Sequence, residues 1–177
     1  MKSLMVISAG VIGLIFPGLA AAQTRLDFEA KAAEVTPPFI LTNGGFFQTV
    51  CTGLTNGGRA CFHFAITNAG DWVVRAKVEA PPNETNSFYV NIDAEPEDPK
   101  MIWDIAPTAG FQDKFIFWRE PYPAGKAMIA KTFSLAEGQH QLILRGRGAN
   151  TKVAHLSILQ LPKPPQAPTG LRIVSGH

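Results

Sequence analysis

Apolar and polar residues alternate along much of the chain. In 71–79, apolar side chains occupy the even positions, and mostly polar ones such as Arg75 occupy the odd positions. The same period of two recurs at 62–67, 87–93 and 139–145. This period is typical of β-strands with one buried and one solvated face.

Turn-forming sequences separate these runs at short intervals, and no stretch after residue 22 has a 3.6-residue apolar stripe of helical length. Short strands at this spacing predict an all-β fold, an antiparallel β-sandwich or barrel. The turns are Asn43-Gly44-Gly45, Asn56-Gly57-Gly58, Asn68-Ala69-Gly70, Pro81-Pro82-Asn83, Glu137-Gly138 and Arg147-Gly148-Ala149-Asn150.

The first 22 residues have the features of a secretory signal peptide. Lys2 precedes an apolar run over 4–19, and Ala20-Ala21-Ala22 supplies the small residues of a cleavage site. The run contains three glycines and is shorter than the ~20 residues that span a bilayer. We therefore expect cleavage before Gln23, a secreted or periplasmic protein and no membrane span afterwards, with an uncleaved anchor as the alternative.

The mature chain divides into a domain and a tail. Residues 24–161 carry the strand pattern and are expected to form one β-sandwich domain. Residues 162–177 begin with a proline-rich linker, which favours an extended chain. The net charge is only +2 and no basic residues cluster, which argues against nucleic-acid binding and against a polybasic membrane patch.

The two cysteines of the chain, Cys51 and Cys61, lie ten residues apart in the mature part. In an oxidising compartment this pattern predicts a structural disulfide. A metal or thiol site is the alternative, but there is no second cysteine pair and no Cys-x-x-Cys spacing to favour it.

Three blocks of sequence resemble the jelly-roll carbohydrate-binding modules of the galactose-binding-like superfamily, in particular families 6 and 35. The blocks are FHFAITNAGDWVVRAKVEAP at 62–81, NSFYVNID at 86–93 and FSLAEGQHQLIL at 133–144. The resemblance implies a jelly-roll β-sandwich that binds carbohydrate without catalysis.

The sequence departs from that family where many of its members hold a structural calcium. Lys31 stands where a second acidic residue is common, and Ala154 where an aspartate leads into the last strand. Calcium requires six to eight oxygen ligands. We therefore expect no metal or other cofactor, with calcium bound by Glu29, Glu34 and backbone carbonyls as the alternative.

Candidate ligand-binding residues come from the aromatic segment 101–123 and from the loop before the last strand. Flat aromatic faces stack on sugar rings, and amides or guanidiniums bind sugar hydroxyls. On the resemblance, Trp118 is the first candidate, followed by Tyr122, with Arg147 and Asn150 as polar partners. Since aromatic residues on strands are more often buried, a core position is the alternative for Trp118 and the expectation for Trp72 and Trp103.

No enzymatic motif is present in the sequence. There is no G-x-S-x-G, no histidine pair at metal-binding spacing and no evident pair of catalytic carboxylates. The alternative to a carbohydrate-binding module is a structural or adhesion subunit that binds a protein partner. Residues 167–174 could serve such a subunit, because they resemble the opening strand of a fibronectin type III domain.

Overall fold

A computed structural model describes residues 25–82, 84–119 and 128–163. The predicted signal peptide, Tyr122 and the predicted tail strand lie outside them. The described part contains one 3-10 helix, Ala30–Ala32, and twelve strands. These are β1 (Arg25–Glu29), β2 (Glu34–Thr36), β3 (Ile40–Thr42), β4 (Gly45–Phe47), β5 (Arg59–Ile66), β6 (Gly70–Glu79), β7 (Ser87–Ile92), β8 (Ile102–Asp104), β9 (Gln112–Phe115), β10 (Thr132–Leu135), β11 (Gly138–Gly146) and β12 (Lys152–Gln160).

The strands form two antiparallel sheets. The five-stranded sheet has the order β2-β5-β11-β7-β8. The seven-stranded sheet has the order β10-β6-β12-β4-β3, with β9 also paired to β6 and β1 also paired to β12. All of the strand pairs are antiparallel, which confirms the predicted all-β sandwich. No helix of the described residues is long and apolar enough to cross a membrane.

The core lies between the two sheets and is built from the alternating positions. Each large apolar side chain moved from water into this layer stabilises the fold by about 1.5–3 kcal/mol. Trp72 and Trp103 are buried, as expected. The other main contributors are Phe62, Phe64, Ile66, Val74, Val78, Phe88, Val90, Leu142, Leu144, Leu156 and Ile158.

The loop after β7 covers the outer face of the five-stranded sheet. Glu95 accepts hydrogen bonds from Nε of Arg59 and from Nε of Arg145, each at 2.8 Å. All six residues of β7 are buried, and on the outer face Oη of Tyr89 donates to Oδ2 of Asp98 in this loop at 3.3 Å. Most residues of the turn over 93–98 are exposed, and the carboxylate of Glu95 nevertheless anchors this turn to β5 and β11.

The structure does not form the predicted disulfide. The structure has Cys51 and Cys61 as free cysteines, the first exposed and the second buried. Cys61 lies on β5 with its Sγ 3.4 Å from Oε1 of Gln141. Burial raises the pKa of the Cys61 thiol.

Gln48 holds the loops that the disulfide was expected to hold. This buried side chain donates to the Val50 carbonyl and to Oγ1 of Thr52, each at 2.8 Å, and accepts from N–H of Gly58 at 3.2 Å. Its backbone carbonyl accepts from N–H of Asn150 at 2.7 Å. A buried amide with its hydrogen bonds made gives the loops a fixed arrangement without a covalent link.

This arrangement predicts two free thiols of unequal reactivity. In non-reducing buffer Cys51 should react quickly with a thiol reagent, and Cys61 only when the protein unfolds, because burial blocks access and disfavours the thiolate. Cys51→Ser should remove the fast phase and Cys61→Ser the slow one. If labelling requires prior reduction, and reduction lowers the melting temperature, the two cysteines do form the predicted disulfide.

Near the start of β11, His140 links the loop that follows β7 to the turn that precedes β11. Its Nδ1 lies 2.7 Å from Oδ2 of Asp93, and its Nε2 lies 2.9 Å from the carbonyl of Ala136. Both ring nitrogens can donate only in the imidazolium form. Partial burial lowers the pKa of His140, but the hydrogen bonds to Asp93 and Ala136 outweigh it, so the pKa is raised above 6.5.

A raised pKa in the folded state makes stability depend on pH. The contribution of His140 is complete below 6.5, the ordinary value, and is lost as pH rises through the raised pKa. The melting temperature should therefore fall over that window, by ~2–4 °C for each kcal/mol lost. Asp93→Asn and His140→Gln should both reduce this dependence of the melting temperature on pH. Asn suits the positive φ of Asp93 (66°), so a full wild-type slope in Asp93→Asn would contradict the account.

Candidate functional site

A cleft opens at the end of the sandwich where β6 ends and β12 begins, and we call it the rim cleft. Its volume is about 370 Å³. Two prolines and an aromatic ring give it apolar walls, and an amide, a hydroxyl and a paired carboxylate and ammonium give it polar ones. The lining residues are Phe47, Glu79, Pro81, Pro82, Thr108, Asn150 and Lys152.

The polar side chains of the rim cleft are held in place by hydrogen bonds. Nζ of Lys152 lies 3.0 Å from Oε2 of Glu79 and 5.9 Å from the centre of the Phe47 ring. Oγ1 of Thr108 accepts from N–H of Ala80 at 2.9 Å, which leaves its own proton free to donate. The cleft therefore offers both donors and acceptors around one flat ring.

The local sequence explains how Asn150 and Phe47 reach the cleft. Asn150 has a φ of 59°, a left-handed conformation that asparagine adopts more readily than most residues. Strand β4 alternates, so Phe46 is buried in the core and Phe47 points the other way. Phe47 is not among the binding residues predicted from the sequence. The period of two could have identified one of the pair as outward.

Trp118 is held as a structural residue between the two sheets. Its Nε1 donates to the Val90 carbonyl at 2.8 Å, and its ring packs edge-on against Phe133 with 6.0 Å between centres. Nζ of Lys131 lies 4.0 Å from the ring centre, a cation–π contact that occupies one face. Trp118 is thus half-buried.

The structure does not bring Trp118 to Asn150. Phe133, which contacts Trp118, pairs with Trp72 near the start of β6. Lys152 of the rim cleft pairs with Glu79 at the other end of that strand. Seven positions separate Trp72 from Glu79, or roughly 23 Å at about 3.3 Å per residue.

Arg147 points away from the rim cleft. Its Nη1 donates to Oγ of Ser87 at 2.8 Å, and its carbonyl accepts from N–H of Thr52 at 3.0 Å. Of the four predicted binding residues, Asn150 alone lines the cleft among those that the structure describes, and Tyr122 lies outside them. Binding roles for Trp118, Tyr122 and Arg147 stay predictions.

A second depression of about 450 Å³, the sheet-face groove, lies on the outer face of the seven-stranded sheet. Its charged groups largely bind one another. Arg25 is hydrogen-bonded to Asp27 and Ser157, and Nη1 of Arg75 lies 3.8 Å from Asp113. The Arg25 hydrogen bond, despite some burial, lowers the pKa of Asp27. A ligand here would have to compete with these ion pairs.

The region where the family often binds calcium does not fit that ion in this chain. Glu29, Lys31 and Ala154 line one hollow together with Thr42, Asn43 and Gly45. A single carboxylate beside an ammonium group is a poor donor set for a cation that needs six to eight oxygens. Across the described ranges, no group of three His, Cys, Asp or Glu side chains could hold a metal ion.

Comparison with known proteins identifies the fold. No protein-family model matches the sequence, and a search of curated proteins finds no match. Among solved structures, a family 35 carbohydrate-binding module from Clostridium thermocellum matches with a TM-score of 0.50 and 12% identity, covering 76% of this chain and 97% of that one. The fold expected from the sequence resemblance is therefore confirmed.

Two further solved modules are similar at lower scores. The C-terminal family 6 module of the laminarinase LamC from Zobellia galactanivorans has a TM-score of 0.45 and 12% identity, over 77% of this chain and 100% of that one. A family 35 module from Paenibacillus barcinonensis has a TM-score of 0.46 and 12% identity, over 75% and 97%. At such identities the likeness extends to the fold and not to the ligand.

Proposed function

We propose that this chain is an exported, non-catalytic carbohydrate-binding module that holds a sugar in the rim cleft. The observation that carries the proposal is the convergence there of a partly exposed Phe47 ring, the Asn150 amide and the Thr108 hydroxyl. A cleft with apolar walls and a few fixed polar groups is the usual form of a small-ligand site.

Each group has a role that suits a sugar ring. The face of Phe47 packs against the C–H groups of a pyranose. Asn150 and Thr108 exchange hydrogen bonds with hydroxyl groups, and the Glu79–Lys152 pair offers an acceptor and a donor about 3.0 Å apart. The hydrogen bond from Asn150 N–H to Gln48 fixes the loop before the sugar arrives, which reduces the entropy that binding costs.

The shared fold supports the proposal because a matched chain of this fold, over 97% of its length, is itself a carbohydrate-binding module. The signal-peptide pattern of the first 22 residues supports a secreted or periplasmic location. Sugar contacts by Trp118, Tyr122 and Arg147 stay predictions from the sequence.

A protein-binding structural or adhesion subunit is the competing function. The observation in its favour is the exposure of Phe115, Met128 and Ile129, three large apolar side chains. A protein complex that depends on residues 162–177, with no glycan binding by the full chain, would support it in place of the carbohydrate proposal.

Substitutions in the rim cleft should weaken glycan binding without unfolding the protein. Asn150→Gly tolerates the positive φ and removes the amide, and Phe47→Leu keeps an apolar side chain without the flat ring. Each should weaken binding to the best neutral glycan of an array about tenfold, or about 1.4 kcal/mol, by isothermal titration calorimetry.

Phe115→Leu is the matched control, because it removes an exposed phenylalanine of the outer sheet face. It should bind as the wild type does, and all three variants should melt as cooperatively as the wild type. If Trp118→Phe loses binding while the two cleft variants retain it, the sugar sits at Trp118 and the rim cleft is excluded.

A further inference from the structure

The Asn150 amide is hydrogen-bonded to a carboxylate at the edge of the rim cleft. Nδ2 of Asn150 donates to Oε1 of Glu84 at 3.3 Å. Glu84 is exposed, and no basic side chain of the described residues forms an ion pair with it. The amide orients the carboxylate but leaves its charge uncompensated.

The other charges of the rim cleft cancel. Lys152 is paired with Glu79, so their fields largely offset each other at the distance of a bound sugar. Lys77, the preceding outward cation of β6, lines the sheet-face groove and pairs in register with His155 and Asp113. Arg147 is directed at Ser87. Glu84 therefore sets the net charge that a ligand of this cleft meets.

The Glu84–Asn150 pair is also a ready acceptor for hydroxyl groups. With Nδ2 of Asn150 engaged, its Oδ1 and both carboxylate oxygens of Glu84 retain free lone pairs. Neutral sugars can donate hydroxyl protons to these oxygens. A carboxylate on the sugar cannot, and it adds repulsion between like charges.

We propose that Glu84 is a specificity-determining residue that makes the rim cleft select neutral glycans over glycans bearing carboxylates. The inference rests on the proposed function of this cleft. At about 6 Å in water two like charges repel by about 0.7 kcal/mol, and at a lower effective dielectric by more, so the preference should be roughly three- to tenfold.

The test uses three hexasaccharides, of β-1,4-linked glucose, mannose and galactose. Each is offered in its neutral form and with the primary alcohols oxidised to carboxylates. The dissociation constants are measured by calorimetry for the wild type and for Glu84→Gln, which keeps an acceptor for Asn150 and removes the charge. Glu137→Gln, the same change in the turn before β11 and far from the cleft, is the matched control.

The wild type and Glu137→Gln should prefer a neutral hexasaccharide over its oxidised form. Glu84→Gln should lose most of that preference, measured as the ratio of the two dissociation constants within each variant. The preference should also collapse at 1 M salt, where the screening length is about 3 Å. Equal binding of both forms by the wild type, or an unchanged preference in Glu84→Gln, overturns the inference and leaves the proposed function intact. If no neutral hexasaccharide binds, both fail.

Discussion

The structure depends on the burial of one face of each sheet against the other. Trp72, Val74 and Val78 of one sheet meet Phe62 and its neighbours of the other, and these positions follow the period of two in the sequence. A shift of register by one residue would turn every such side chain to the opposite face, so the core specifies the pairing of the strands. Everything at the ends of the sandwich is positioned by this pairing.

The rim cleft illustrates how a polar site can be fixed on such a scaffold without a covalent link. Gln48 is buried, its side chain bonds to three residues of the loop between β4 and β5, and its carbonyl holds the backbone of Asn150 in the loop before β12. The loop after β7 is fixed in a similar way by Glu95. Burial raises the pKa of Glu95, but its hydrogen bonds with Arg145 and Arg59 outweigh this effect and lower it, so the carboxylate stays charged.

The sequence could predict the strands that alternate, the core tryptophans and the position of Asn150 in the rim loops. It could not predict the covering of β7, because the alternation of a strand does not show what packs on its outer face. Trp118 was ambiguous for the same reason, since its neighbours Val90 and Phe133 are distant in sequence. The disulfide prediction differs from the structure because spacing and compartment say nothing about the direction of a buried strand residue such as Cys61.

The central claim is that a sugar binds at the rim cleft and not at Trp118 or on the sheet face. The most direct measurement is a map of amide and indole chemical shifts of the labelled protein during titration with the best-binding glycan. The account predicts that Phe47, Asn150 and Lys152 shift together in proportion to occupancy, with the Trp118 indole unchanged. Shifts centred on the Trp118 indole, or on Arg75 and His155, would contradict it.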